Sequence, residues 1–203
     1  GERRMAPHDQ IGCYRTLEAA GRGGSAQVYR AQAPDGRQVA FFSERDKFAF
    51  ELFLADADTG HIEHKLVHSA SDPHFDSLEF LSSAGAWSPD GRSLAITAVR
   101  RGHPVLVLVN PATGGVRREL ALPGLDDAIG PSFSPDGRRV ALSGNQGGSL
   151  DLFVLSMDSG ALERLTRDAA ADLEPTFTPD GASIVFVTDR FTTDRTSLTP
   201  GAL

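Results

Sequence analysis

Apolar and polar residues alternate in short bursts along this chain, and four of the bursts follow the same turn. The segments read APDGRQVAFF (33–42), SPDGRSLAIT (88–97), SPDGRRVALS (134–143) and TPDGASIVFV (178–187). In each, two apolar side chains fall on one face of a strand: Val39 and Phe41, Leu94 and Ile96, Val140 and Leu142, Ile184 and Phe186. The residues between them, Ala40, Ala95, Ala141 and Val185, are apolar too, which predicts strands covered on both faces. Within the turn, Pro presets φ for the first central position and Asp bonds its own backbone. Gly takes the left-handed conformation without a steric cost. Positive φ is therefore expected at Gly36, Gly91, Gly137 and Gly181, which lie 55, 46 and 44 residues apart.

The rest of the unit repeats as well. A second apolar run follows each turn strand: FELFLADADTG (50–60), PVLVLVNPATG (104–114) and LDLFVLSMDSG (150–160), each closing on Thr-Gly or Ser-Gly. A further strand comes next (61–67, 115–122, 161–166), and an inner strand precedes each later turn: GAWS, PSFS, PTFT. Trp87, Phe133 and Phe177 share one register, two residues before the turn Pro, and are read as wedges between neighbouring units. Four short antiparallel strands on a period in the forties predict an all-β β-propeller. Blades are expected near 26–67, 85–122, 131–166 and, incomplete, 175–203, with 1–25 as an N-terminal segment holding one strand at most. That makes about three and a half to four blades, a partial or small propeller.

The Trp/Phe-Ser/Thr-Pro-Asp-Gly pattern, followed by Asp-Leu-Phe-Val, Thr-Gly and Arg-Leu-Thr, resembles the repeat of bacterial TolB-type, WD-repeat-like propellers over about residues 30–190. The resemblance implies a non-catalytic scaffold of the periplasm or extracellular space that binds a protein or peptide partner. Similar repeats also form propeller domains beside peptidase-type enzymes, where the blades filter or hold substrate. That alternative stays open at this point, and flanking sequence separates the two.

Charge adds a constraint. The chain carries a formal net charge of −7, which disfavours nucleic acid and anionic membrane as partners. No run is long enough to cross a bilayer, so no membrane insertion is expected. GERRMAPHDQ lacks the apolar centre of a signal peptide, and because the chain opens on Gly1 an upstream targeting segment stays open. A single cysteine, Cys13, excludes an internal disulfide.

Candidate chemistry is sparse. Residues 11–42 resemble the start of a bacterial Ser/Thr kinase, with Gly21, Gly23 and Val28 in the places of its phosphate loop. Ala26 replaces the third glycine and Phe42 the phosphate-pairing lysine. No His-Arg-Asp or Asp-Phe-Gly follows, so phosphoryl transfer is excluded. His61 and His64, three apart on a strand, point to opposite faces. Asp56, Asp58 and Gly60 suit a hairpin turn better than a calcium loop, and no Gly-x-Ser-x-Gly is present. No catalytic residue, cofactor or metal site is assigned.

Two groups remain as partner-binding candidates. The segment 68–85 holds most of the excess of the first interval and carries Asp72, His74, Phe75, Asp76 and Phe80. It reads either as a docking loop or as a short helix burying Phe75, Leu78 and Phe80. The second group is Asp126, Asp127, Asp172 and Glu174, at the starts of inner strands. These carboxylates either make the channel mouth negative or cap free backbone amides. Loops 44–49, 68–84, 100–104, 123–130, 144–149 and 167–174 share one face, the expected docking face. Residues 188–203 offer no second apolar run, so the chain is expected to be a fragment. The other possibilities are self-association through open blade edges, or completion of the fourth sheet by the strand candidates at 13–18 and 26–33.

Overall fold

The computed structural model describes residues 10–11, 14–22, 27–32, 36–43, 51–67, 77–78 and 85–190. Among them every regular element is a strand. Three short ones, β1 (Gln10–Ile11), β2 (Tyr14–Arg22) and β3 (Gln27–Gln32), form a sheet in the order β1-β2-β3. The strand candidates at 13–18 and 26–33 therefore pair with each other, and β3 joins neither the first repeat nor the fourth. Contacts close in sequence need little loop closure, which favours this local hairpin over a distant pairing.

The repeats then follow as antiparallel sheets. The first contains β4 (Gln38–Ser43), β5 (Glu51–Asp56) and β6 (Ile62–Val67). The second contains β7 (Ser77–Leu78), β8 (Ala86–Trp87), β9 (Leu94–Arg100), β10 (His103–Val109) and β11 (Val116–Ala121). Here β7 and β8 both pair with β9, so together they stand where the later sheets have one inner strand. The third is β12 (Asp127–Phe133), β13 (Arg139–Gln146), β14 (Ser149–Ser156) and β15 (Leu162–Arg164). The fourth pairs β16 (Asp172–Phe177) with β17 (Ile184–Thr188).

Residues 77–78, expected in a loop or a short helix, are strand: Leu78 pairs with Ala98. The excess residues of the first interval thus fall on both sides of β7, partly inside the inner strand itself. Phe75, Phe80 and the rest of 68–76 and 79–84 lie outside the described residues.

The turns explain why the sheets form where they do. Gly36, Gly91, Gly137 and Gly181 have φ of 66°, 68°, 71° and 70°, as the Pro-Asp-Gly reading requires. In three successive turns a hydroxyl donates to the turn carboxylate: Ser88 to Asp90 at 2.6 Å, Ser134 to Asp136 at 2.6 Å, Thr178 to Asp180 at 2.5 Å. Each carboxylate also accepts the amide of Arg92, Arg138 or Ala182 at 3.0 Å. Each hydroxyl accepts the amide of Ser93, Arg139 or Ser183 at 2.9–3.0 Å. The second hairpin is stapled by different side chains in the same place: Asp56, Asn110 and Ser156 each accept a turn amide.

Hydrophobic cores lie between sheets. Leu52, Leu54, Leu66 and Val67 of the first meet Trp87, Leu94, Ile96, Val105 and Val107 of the second. Ala95 and Leu106 of the second meet Ala128, Val140, Leu142, Phe153 and Leu155 of the third, with Phe133 packed alongside. Ala141, Leu152 and Val154 of the third meet Phe177 and Ile184 of the fourth. The period-2 pattern read from the sequence is this division: even one-residue steps along β9 or β13 switch a side chain from one core to the next. Each junction sets a small alanine against a large aromatic, which gives close packing where the strands converge. Val185 and Val187 occupy the corresponding outward face of the fourth sheet and are 63% and 57% exposed.

Candidate functional site: the loop face

Strand direction sorts the connections onto two faces. Pro-Asp-Gly turns and the Thr-Gly or Ser-Gly hairpins lie on one, and their polar atoms are spent on the internal bonds just described. The other face carries the β9–β10 and β13–β14 turns and the segments leading into β12 and β16.

The first two of these turns are tighter than the sequence suggested. Arg101-Gly102 has φ of 51° and 74°, and Gly147-Gly148 has 64° and 92°, the left-handed pairs of two-residue hairpins. Variation on this face therefore lies mainly in the segments that join blades, 122–126 and 165–171, and in residues outside the described set.

The inner strands place the carboxylates. Both β12 and β16 carry a bulge, with register shifts between Ile129 and Ser132 and between Leu173 and Thr176. At the bulge Gly130 has φ of 61° and Glu174 has 52°, and a proline follows each. The two bulges abut: a Cβ on Gly130 would stand 3.8 Å from the Cα of Glu174. In the second sheet the break between β7 and β8 falls at the matching register. The inner strand is thus interrupted at one level in three consecutive sheets, and the exposed Glu174 side chain marks that level.

Of the eight sequence candidates, Asp72, His74, Phe75 and Asp76 lie outside the described residues. The other four have distinct surroundings. Asp126 is exposed and accepts the Gly147 amide at 2.8 Å, tying the incoming segment to the β13–β14 turn. Asp127 is half-buried and its Oδ1 accepts the amide of Ala128 at 2.7 Å. Glu174 is exposed. Asp172 is fully buried, and Arg190 grips it from both terminal nitrogens at 2.6 and 2.8 Å.

The sequence reading passed over the cations of this face. Arg164 donates to Asp151 at 2.5 Å, to Gln146 at 2.9 Å and to the carbonyl of Thr166 at 3.0 Å. Gln146 donates in turn to the carbonyl of Gly124 at 3.0 Å. Arg190 also holds Asp168, whose carboxyl is kept below its usual range by that guanidinium and by the Ala170 amide. In the second sheet Arg100 grips both oxygens of Glu119 at 2.5 and 2.6 Å. A signal was present: Arg100, Gln146 and Arg190 each stand six residues after Leu94, Val140 and Ile184. Among the described residues no group of His, Cys, Asp and Glu is arranged to hold a metal ion, and no helix is long and apolar enough to cross a membrane.

Repeated antiparallel sheets with shared cores, hinged on one turn, define a β-propeller. The family model of the TolB beta propeller domain matches residues 38–195, and the chain belongs to that family. It is 40% identical over 133 residues to the Tol-Pal system protein TolB of Anaeromyxobacter dehalogenans (strain 2CP-C), covering 66% of this chain and 28% of that protein. A TolB homolog of Chlorobium chlorochromatii (strain CaD3) is 31% identical over 155 residues, 76% of this chain and 32% of the relative. The chain thus spans about a third of the length of these curated relatives. Among solved structures, a TolB from Agrobacterium tumefaciens superposes with a TM-score of 0.64 at 22% identity, covering 88% of this chain and 64% of that one. A puromycin hydrolase superposes at 0.52 with 25% identity, over 77% of this chain and 24% of the enzyme.

Proposed function

We propose that this chain is a non-enzymatic docking module of a bacterial envelope, and that its partner is a protein bound on the loop face. The observation that carries this is the contrast between faces. On the turn face, three successive blades spend the same polar groups on the same internal bonds, which leaves little chemistry to distinguish one partner from another. On the loop face, Asp126, Asp127 and Glu174 stand at the starts of adjoining inner strands, and the sequence there differs from blade to blade. Asp72, His74, Phe75 and Asp76 belong to the longest connection of that face and are its aromatic and titratable candidates. Asp172, buried on Arg190, serves by holding the fourth blade's inner strand.

Resemblance to Tol-Pal system proteins supports Pal as the partner and the periplasm as the compartment. Titration calorimetry of the purified chain against Pal of the source organism tests this. Alanine at Asp127, Glu174, Phe75 or Asp76 is expected to weaken binding about tenfold or more, as truncation of a central contact does. Alanine at Arg92 or Arg138, beside the opposite turns, is expected to leave it unchanged. The reverse pattern in folded protein would overturn the proposal.

A second reading has one observation behind it, the likeness to a puromycin hydrolase. There the blades would shape access to a separate catalytic domain. A hydrolase domain encoded next to this segment would favour that reading over the first.

A further inference from the structure

Arg190 does more than neutralise a buried acid. Its Nη1 and Nη2 hold Asp172 at 2.6 and 2.8 Å, while Nε and Nη2 hold Asp168 at 2.9 and 2.6 Å. The guanidinium also lies 5.7 Å from the centre of the Phe186 ring. Its two carboxylates have different needs. The Asp172 side chain is 0% exposed and requires a counter-ion, whereas that of Asp168 is 53% exposed and water would solvate it unaided. The bond to Asp168 is therefore not needed to compensate burial. Its consequence is geometric, because Asp168 sits in the segment 165–171 that crosses the loop face from the third blade to the fourth.

Two further bonds draw the same segment inward. Ala170 donates its amide to Asp168 at 2.9 Å, and Ala171 donates to Asp189, the neighbour of Arg190, at 2.8 Å. Gln146, in register with Arg190, reaches back in the same sense to the carbonyl of Gly124 in the segment before the third blade. Two consecutive blades thus use the residue at the end of the second strand to fix the connection that enters them.

We infer that Arg190 is a positioning residue, which holds residues 167–171 in one shape so that this part of the loop face meets its protein partner preformed. The inference rests on the docking role proposed above and assigns that role a mechanism: order established before binding is not charged against affinity. A planar fork with donors on two edges suits the task, since one lysine ammonium could not span both carboxylates in this geometry.

Asp168→Ala tests it, because that change leaves the Arg190–Asp172 pair in place. The probe is hydrogen exchange at the amide of Ala171, which bonds Asp189 and not Asp168. Exchange there is expected to quicken about tenfold with the unfolding midpoint unchanged, the mark of local opening. Asp168→Asn, which keeps an acceptor for Arg190, is expected to restore most of the protection. In calorimetry against Pal, the alanine variant is expected to bind about tenfold more weakly and the asparagine variant to recover. Unchanged protection in Asp168→Ala would overturn the inference, as would lost protection with undiminished binding. If no substitution on the loop face alters binding, the docking proposal fails instead, and the exchange result still decides whether Arg190 orders the segment.

Discussion

Gly114 and Gly60 show how two residues with one conformation carry different constraints. Both close the second hairpin of a blade, at φ of 71° and 69°. A Cβ on Gly60 would meet nothing within 4 Å, whereas on Gly114 it would stand 2.4 Å from the carbonyl oxygen of Leu66 in the preceding blade. Gly60→Ala is expected to cost about 1 kcal/mol, the left-handed strain alone. Gly114→Ala adds a backbone collision and is expected to cost about 2–4 kcal/mol in urea unfolding. Equal costs would show that the junction can shift to admit a methyl group.

The turn carboxylates make a second prediction at this scale. Hydrogen bonds from Ser134, and then from the Arg138 amide, hold the Asp136 carboxyl below its ordinary 3.8, and Asp90 and Asp180 are lowered in the same way. A depressed folded-state pKa contributes stability that is present above the unfolded value. That stability is lost as pH falls through the folded one. The Pro-Asp-Gly turns should therefore loosen in acid, below about pH 4. Ser134→Ala is expected to raise the Asp136 pKa in a carbon-detected titration and to move acid unfolding to higher pH. No movement in either would show the hydroxyl to be dispensable.

Among the elements, the third and fourth strands of a blade are joined by an ion pair that changes partners from repeat to repeat. Lys65, Glu119 and Arg164 sit in one register, opposite Phe53, Val107 and Phe153. Lys65 contacts buried Glu51 and Arg164 contacts buried Asp151. In the second blade the acid's place is taken by Val105, and Glu119 turns instead to Arg100. Removing one partner of such a pair differs by which one is buried. Arg164→Ala leaves the wholly buried Asp151 carboxylate with Thr166 alone and is expected to cost about 3–5 kcal/mol. Asp151→Val copies the second blade and leaves Arg164, 26% exposed, to water. It is expected to cost about half as much in thermal or urea unfolding. A larger cost for Asp151→Val would mean that Arg164 cannot reach solvent.

These pairs mark the limit of what the sequence made legible. Turns and core faces could be read because Pro-Asp-Gly and a period of two are local, and each position carries its meaning within a few residues. The partner of Arg190 could not, because Asp168 and Asp172 lie about twenty residues away across a blade junction, and only the sheet register brings them together. Likewise Asp126 and Asp127 were legible as acids at inner-strand starts, while the Gly147 amide that Asp126 caps belongs to a later hairpin. The break between β7 and β8 escaped notice because a two-residue strand carries too little pattern to register against noise.

For the molecule as a whole, the organisation of the cores matters more than any single strand. Each apolar cluster joins two sheets, so stability resides in junctions and is passed from neighbour to neighbour, as in linear repeat proteins. The junction between the second and third blades buries Leu122, Val140, Leu142 and Leu155 almost completely, whereas the outward face of the fourth sheet leaves Val185 and Val187 in water. Blade identity, order and junction chemistry were all readable from the recurrence of Trp87, Phe133 and Phe177.

That recurrence places a single optical probe at a single joint. The chain's one tryptophan, Trp87, is the only indole in the series, and it is buried between the first and second blades while phenylalanines fill the same place further on. Its emission therefore reports the loosening of that joint and is blind to the opposite end of the array. Circular dichroism, by contrast, averages over every sheet. Where the two signals part company along a denaturant series, the gap between them measures how far a disturbance travels from one end of the arc before the other end feels it.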